Sequence, residues 1–280
     1  MRFHLDRYAK DALISLRQGI RYQIALRSAP EAAASYHDMR AYLSPRGHTF
    51  DIIPSHNILY VPIQKNATSL IRRTLSEIGG MKSHGATRKV VTYGNPMTME
   101  EAPVADFYRI LQSPEALRFT FVRNPYDRLV SAWASKFKDQ PLVPSKFFSR
   151  GHPEIDTYLR LRKGIDPALP HGGDQVLPFD QFVDYATAIS EAWEDPHIQN
   201  QTSMIEIPGL TLNYLGRFES IQEDIGRVLD HGSASTELRK RVLTPINRSE
   251  RGEPTSYYTD LLRDKVFSAY RRDFETFGYS

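Results

Sequence analysis

At 280 residues, 40% of them apolar, the chain is long enough to bury one large α/β core without covalent staples. It contains no cysteine, which excludes disulfides and thiolate-bound metal and points to a reducing, cytoplasmic setting. With 36 basic against 33 acidic residues the net charge is +3, too balanced for the basic face of a nucleic-acid binder, and no apolar run approaches the roughly 18 residues that span a bilayer.

Residues 2–27 carry Leu5, Tyr8, Ala12, Leu13, Leu16, Ile20 and Ile24 at helical spacing, with Arg2, Arg7, Lys10, Arg17, Arg21 and Arg27 between them. This pattern predicts an amphipathic basic helix inside a helical N-terminal extension over 1–50. Its apolar stripe suits packing on the main domain or on a second subunit; peripheral contact with an anionic membrane is the other reading. The sequence does not reveal the oligomeric state.

Asn57 to Ile63 is an apolar run of strand length, as expected of a strand covered on both faces in a parallel sheet. Leu70, Ile71, Thr74, Leu75 and Ile78 then recur at helical spacing, and Gly79-Gly80 supplies the stop. Arg118 to Val122 predicts a second buried strand, and Pro125 suits the first turn of a helix whose face carries Leu129, Trp133 and Phe137. Between 138 and 178 six prolines and four glycines interrupt any pattern, marking either a substrate-facing loop or lid or a plain surface insertion. Helical spacing returns at Phe179, Phe182, Val183, Ala186 and Ile189. Leu210 to Phe218 reads as a strand, Ile221 to Leu229 as a helix ending near Gly232, and Tyr257 to Phe274 as one C-terminal helix. The fold expected is α/β, a P-loop-like three-layer αβα arrangement with a central parallel sheet, formed as a single domain over 51–280.

Two stretches carry the chemistry. In the first, Lys65, Asn66, Ala67, Thr68 and Ser69 follow a strand and open a helix. A helix start leaves amides unpaired and bears partial positive charge, and a lysine beside it adds a compact cation, so the loop suits a terminal phosphate or sulfate. The Gly-x-x-x-x-Gly-Lys frame of a triphosphate-binding loop is missing, and a lysine beside an ordinary helix cap is the structural alternative. In the second stretch Arg123 stands at a strand end, where its planar guanidinium can fork onto a phosphate, and Arg128 and Ser131 share a helix face. Asp127 and Arg128 also fit plain surface pairs, and Trp133 fits the core.

Val61-Pro62-Ile63-Gln64-Lys65-Asn66-Ala67-Thr68-Ser69 is similar to the 5′-phosphosulfate loop of the carbohydrate sulfotransferases. Phe121-Val122-Arg123-Asn124-Pro125-Tyr126-Asp127-Arg128-Leu129-Val130-Ser131 resembles their 3′-phosphate motif. The family is the Golgi-type sulfotransferase family 2 with the chondroitin, dermatan and HNK-1-type enzymes. Collinear with it, Asp195-Pro196-His197 with Gln201 resembles the acidic-x-His segment. Tyr214 to Glu219 resembles the Gly-basic-aromatic-Glu strand, and Asp273 to Tyr279 the C-terminal signature. Gln64 stands where the family usually has proline. Because animal members carry a membrane anchor and luminal cysteines, a soluble bacterial member is expected here.

The resemblance implies transfer of a sulfuryl group from 3′-phosphoadenosine 5′-phosphosulfate (PAPS) to a hydroxyl of a carbohydrate or glycolipid acceptor, without metal or nucleic acid. It assigns Lys65 to the bridging oxygen, Asn66, Ala67, Thr68 and Ser69 to the 5′-phosphate, and Arg123 and Ser131 to the 3′-phosphate. The acceptor proton needs a base, for which His197 is the candidate and His84 the competitor. Two other functions share these residues: a P-loop-like kinase or nucleotide phosphotransferase, which needs a magnesium-binding acidic residue after a strand, and a non-catalytic polyanion-binding module.

Overall fold

The structure is a computed structural model describing residues 20, 23–24, 26–80, 96–136, 178–192, 195–244 and 254–280. In chain order these residues form α1 (Pro30–Leu43), β1 (Asp51–Ile53), β2 (Ile58–Tyr60), α2 (Thr68–Ile78), β3 (Met97–Thr98), α3 (Val104–Gln112), β4 (Leu117–Val122) and α4 (Pro125–Lys136). There follow α5 (Phe179–Ala188), α6 (Gln201–Ile205), β5 (Tyr214–Arg217), α7 (Ile221–His231), α8 (Thr236–Leu243), α9 (Asp260–Ala269) and α10 (Arg271–Phe277). The chain divides into two compact units interleaved in sequence, and it crosses between them after Pro62, Asn66, Phe121, Ser203 and Ile246.

The first unit holds a five-stranded sheet in the order β3-β1-β2-β4-β5. Only β2 and β4 pair in parallel among the registers defined, with Ile58 opposite Leu117 and Tyr60 opposite Phe119; β1 lies antiparallel to both β2 and β3. The expected α/β layering is present, and the parallel pair is the one that carries both motifs. Side chains alternate along each strand. Ile52, Leu59 and Val61 enter one cluster with Tyr36, Leu43, Phe107 and Ile110 of α1 and α3. Ile53, Ile58, Tyr60, Phe119 and Phe121 enter another with Ile71, Leu75, Val228, Leu229 and Leu238 of α2, α7 and α8. Covered on both faces, β2 and β4 are largely apolar, Arg118 and Thr120 excepted, which is why they were readable.

Helix α2 ends as its glycines dictate, with Gly80 at φ 64° in the left-handed region. Strand β5 is shorter than the run 210–218 suggests. Its Gly216 passes so close to Phe121 that a Cβ there would lie 2.5 Å from the ring. Helix α1 buries Ala32, Ala33, Tyr36, Met39 and Leu43, so this part of the extension belongs to the core of the first unit. Residues 2–19, 21, 22 and 25 of the N-terminal amphipathic pattern lie outside the described residues. Its Ile20 and Ile24 are exposed, and no described helix is long and apolar enough to cross a membrane.

The second unit is helical. Leu129 and Trp133 of α4, Phe179, Phe182 and Val183 of α5, Leu262 and Val266 of α9, and Phe274 of α10 form its core, as expected of Trp133. The single C-terminal helix expected over 257–274 is two helices. Tyr270 leaves helical geometry at φ −109°, ψ 20°, and its hydroxyl donates to the Ile198 carbonyl. That break turns Asp273 and Phe274 into the interior, where both are buried. Of the segment 138–178 only Pro178 lies among the described residues.

Candidate active site

The first motif is a turn under strain. Asn66 N–H donates to the Ile63 carbonyl, and Lys65 and Ala67 on either side adopt φ of 72° and 60°. Left-handed geometry costs a residue bearing a Cβ roughly 1–2 kcal/mol. Such strain persists where surrounding contacts enforce it, and it clusters at ligand clamps. Ala67 begins α2 without any side-chain cap. The structural alternative, an ordinary capped helix beside a lysine, is therefore not what the chain builds. In the first unit Thr68 is buried and Ser69 exposed in the opening turn of that helix.

Within the second unit the two motifs meet. Arg123 Nη1 donates to the Lys65 carbonyl at 3.2 Å. The Lys65 ammonium donates to the Ser135 hydroxyl at 2.6 Å, and that hydroxyl donates to the Ala132 carbonyl. Ser135 lies one turn beyond Ser131, which is buried on the same face of α4.

Arg128 is not a surface residue. It is 1% exposed, and its guanidinium donates to the carbonyls of Gln64 (3.1 Å), Gln199 (2.6 Å) and Pro196 (3.0 Å). Burial pushes its pKa down, while Tyr270, Asp273 and Asp195 pull it back up. With three donors committed to backbone, Arg128 ties the first motif to the 195–201 segment. Asn66 likewise acts through its side chain as well as its amide: it is fully buried and donates to Gln201 Oε1 at 2.7 Å.

His197 Nδ1 lies 2.7 Å from Asp195 Oδ1, which also accepts from the His197 backbone amide at 2.8 Å. In a neutral imidazole a carboxylate at Nδ1 favours the tautomer whose Nε2 lone pair is the acceptor. The His197 side chain is 26% exposed, within reach of solvent or substrate. The competing His84 lies outside the described residues. Sequence reading placed Lys65, Arg123 and Ser131 in one site and the structure puts all three in the second unit; Thr68 and Ser69 fall in the first. It missed Ser135, which is one helical turn from Ser131 and in hindsight legible by that spacing.

The sequence profile described as the sulfotransferase family matches residues 48–280. The chain is 24% identical over 238 residues to carbohydrate sulfotransferase 11 of Mus musculus, covering 80% of this chain and 65% of that protein. To carbohydrate sulfotransferase 11 of Danio rerio it is 22% identical over 277 residues, covering 95% and 76%. Carbohydrate sulfotransferase 8 of Homo sapiens is 25% identical over 267 residues, covering 89% and 60%. Against two of these relatives the chain thus spans less than two thirds of the longer protein, and no solved structure matches it. The profile match, running through both motifs, the Asp195-Pro196-His197 segment and the C-terminal helices, establishes that the chain belongs to the sulfotransferase family.

Proposed function

We propose that the protein transfers a sulfuryl group from PAPS to a hydroxyl of a carbohydrate or glycoconjugate by in-line displacement. The donor is anionic at both ends of its ribose, and the residues fit that shape. The strained turn at Lys65–Asn66 offers amides and a lysine to the 5′ end; Arg123 and Ser131 offer a guanidinium and a hydroxyl to the 3′-phosphate. Lys65 meets the charge that develops on the bridging oxygen as the S–O bond breaks and its electron pair passes to the 5′-phosphate. A new O–S bond forms to the acceptor, whose proton goes to Nε2 of His197 while Asp195 steadies the ring.

The meeting of the two motifs carries this reading: Arg123 donates to the Lys65 carbonyl although 58 residues separate them in sequence. The names of the relatives support a carbohydrate acceptor. Thermal shift tests the donor site. Adenosine 3′,5′-bisphosphate should raise Tm well above the effect of ATP, because a ligand that prefers the native state stabilises it by mass action. Equal shifts would favour a phosphotransferase. Turnover of labelled donor against a glycan and glycolipid set then names the acceptor, and Lys65→Ala should abolish turnover while bisphosphate binding survives.

A further inference from the structure

Gln201 is fully buried, and its side-chain amide uses both ends. Oε1 accepts from Asn66 Nδ2 at 2.7 Å and from the Arg123 amide at 3.0 Å. Nε2 donates to the Arg123 carbonyl at 2.8 Å and to Asp273 Oδ2 at 3.3 Å. Two donors on one side and two acceptors on the other admit only this orientation of the amide. Asp273, itself fully buried, takes the Gln201 and Thr202 amides at 2.9 and 2.8 Å and the Thr202 hydroxyl at 2.7 Å.

We infer that Gln201, anchored by Asp273, is a positioning residue that clamps the Lys65–Asn66 turn to Arg123 and so fixes the spacing between the two anion-binding motifs. The inference rests on the donor-site reading above. A ligand gripped at both ends profits from a preset spacing, because it then spends no binding energy on ordering the loops; a ligand gripped at one end does not. Asp273 also gives the C-terminal signature a task. It reaches the donor site through Gln201.

The test compares three probes on the full chain: adenosine 5′-monophosphate, adenosine 3′-monophosphate and adenosine 3′,5′-bisphosphate, with Kd measured by calorimetry. The wild type should prefer the bisphosphate to both monophosphates. Gln201→Met keeps the volume and loses the hydrogen bonds; Gln201→Glu keeps the accepting end and loses the donating one. In each, the bisphosphate preference should fall by about tenfold, equivalent to about 1.4 kcal/mol and so to roughly one net hydrogen bond. Monophosphate affinities should hold within about threefold. A parallel loss for all three probes, or no change, would overturn the clamp while leaving the donor site intact. A wild type without bisphosphate preference would overturn both. Should neither variant fold, hydrogen exchange on the wild type decides: adenosine 3′-monophosphate should protect residues 63–66 as well as 122–124, and protection confined to 122–124 would refute the inference.

Discussion

Replacing Arg128 by lysine tests whether this arginine holds the site together or touches the donor. Its guanidinium satisfies three backbone carbonyls in an enclosed position. Lysine keeps the charge but lacks the planar fork, so it can serve one of them well. Each of the other two becomes a buried acceptor without a donor, at about 1–3 kcal/mol apiece, giving a loss of about 3 kcal/mol. For a chain of this size 1 kcal/mol moves Tm by about 2–4 °C, so the variant should melt about 6–12 °C lower. Circular dichroism melts with and without adenosine 3′,5′-bisphosphate read both quantities. The stabilisation by ligand should persist, since Lys65, Arg123 and Ser131 remain. An unchanged Tm together with a lost ligand shift would refute the reasoning and make Arg128 a donor contact.

His48 is buried beside Arg72, and burial, the larger cause, lowers its pKa to about 4 from 6.5. The unfolded chain therefore binds the extra proton first, so stability is full above pH 6.5 and falls as pH drops towards 4, by about 3 kcal/mol in all. Urea midpoints at pH 7 and 5 should show about 2 kcal/mol of this loss, and His48→Gln should flatten it; an unchanged slope would remove His48 as the cause. Gly216→Ala should lower Tm by about 3–10 °C, because its Cβ would meet the Phe121 ring at 2.5 Å in a packed core. An unshifted melt would show that the two strands can part. His197→Asn should reduce kcat by about 10²- to 10⁴-fold with little change in donor binding, and Asp195→Asn should give a smaller loss. Wild-type activity in His197→Asn would hand the base to another residue.

Strands β2 and β4 and helices α2, α4, α5 and α7 were legible because a residue's neighbours along the chain decide which face it presents. The two motifs were legible for the same reason: Lys65 to Ser69 and Arg123 to Ser131 are local. Strands β1 and β3 escaped notice, with three and two residues and no periodicity to display. The break at Tyr270 escaped too, since the partner its hydroxyl finds is a carbonyl 72 residues earlier. Arg128 fitted either a helix face shared with Ser131 or a surface pair, and nothing nearby in sequence tells that three carbonyls surround it.

What the sequence determined by itself is the inventory: a both-face-buried parallel strand pair, each strand followed by a cation and a helix, and a cysteine-free chain without a strong net charge. These follow from burial and periodicity, which act over a few residues. Only the tertiary structure decided that Gln201 and Asp273 join the two motifs, that Arg128 is committed to backbone, and that Asp195 orients His197. Hydrogen bonds across long sequence separations depend on where the whole chain places each donor and acceptor, and a buried polar group must find its partner wherever that fold provides one.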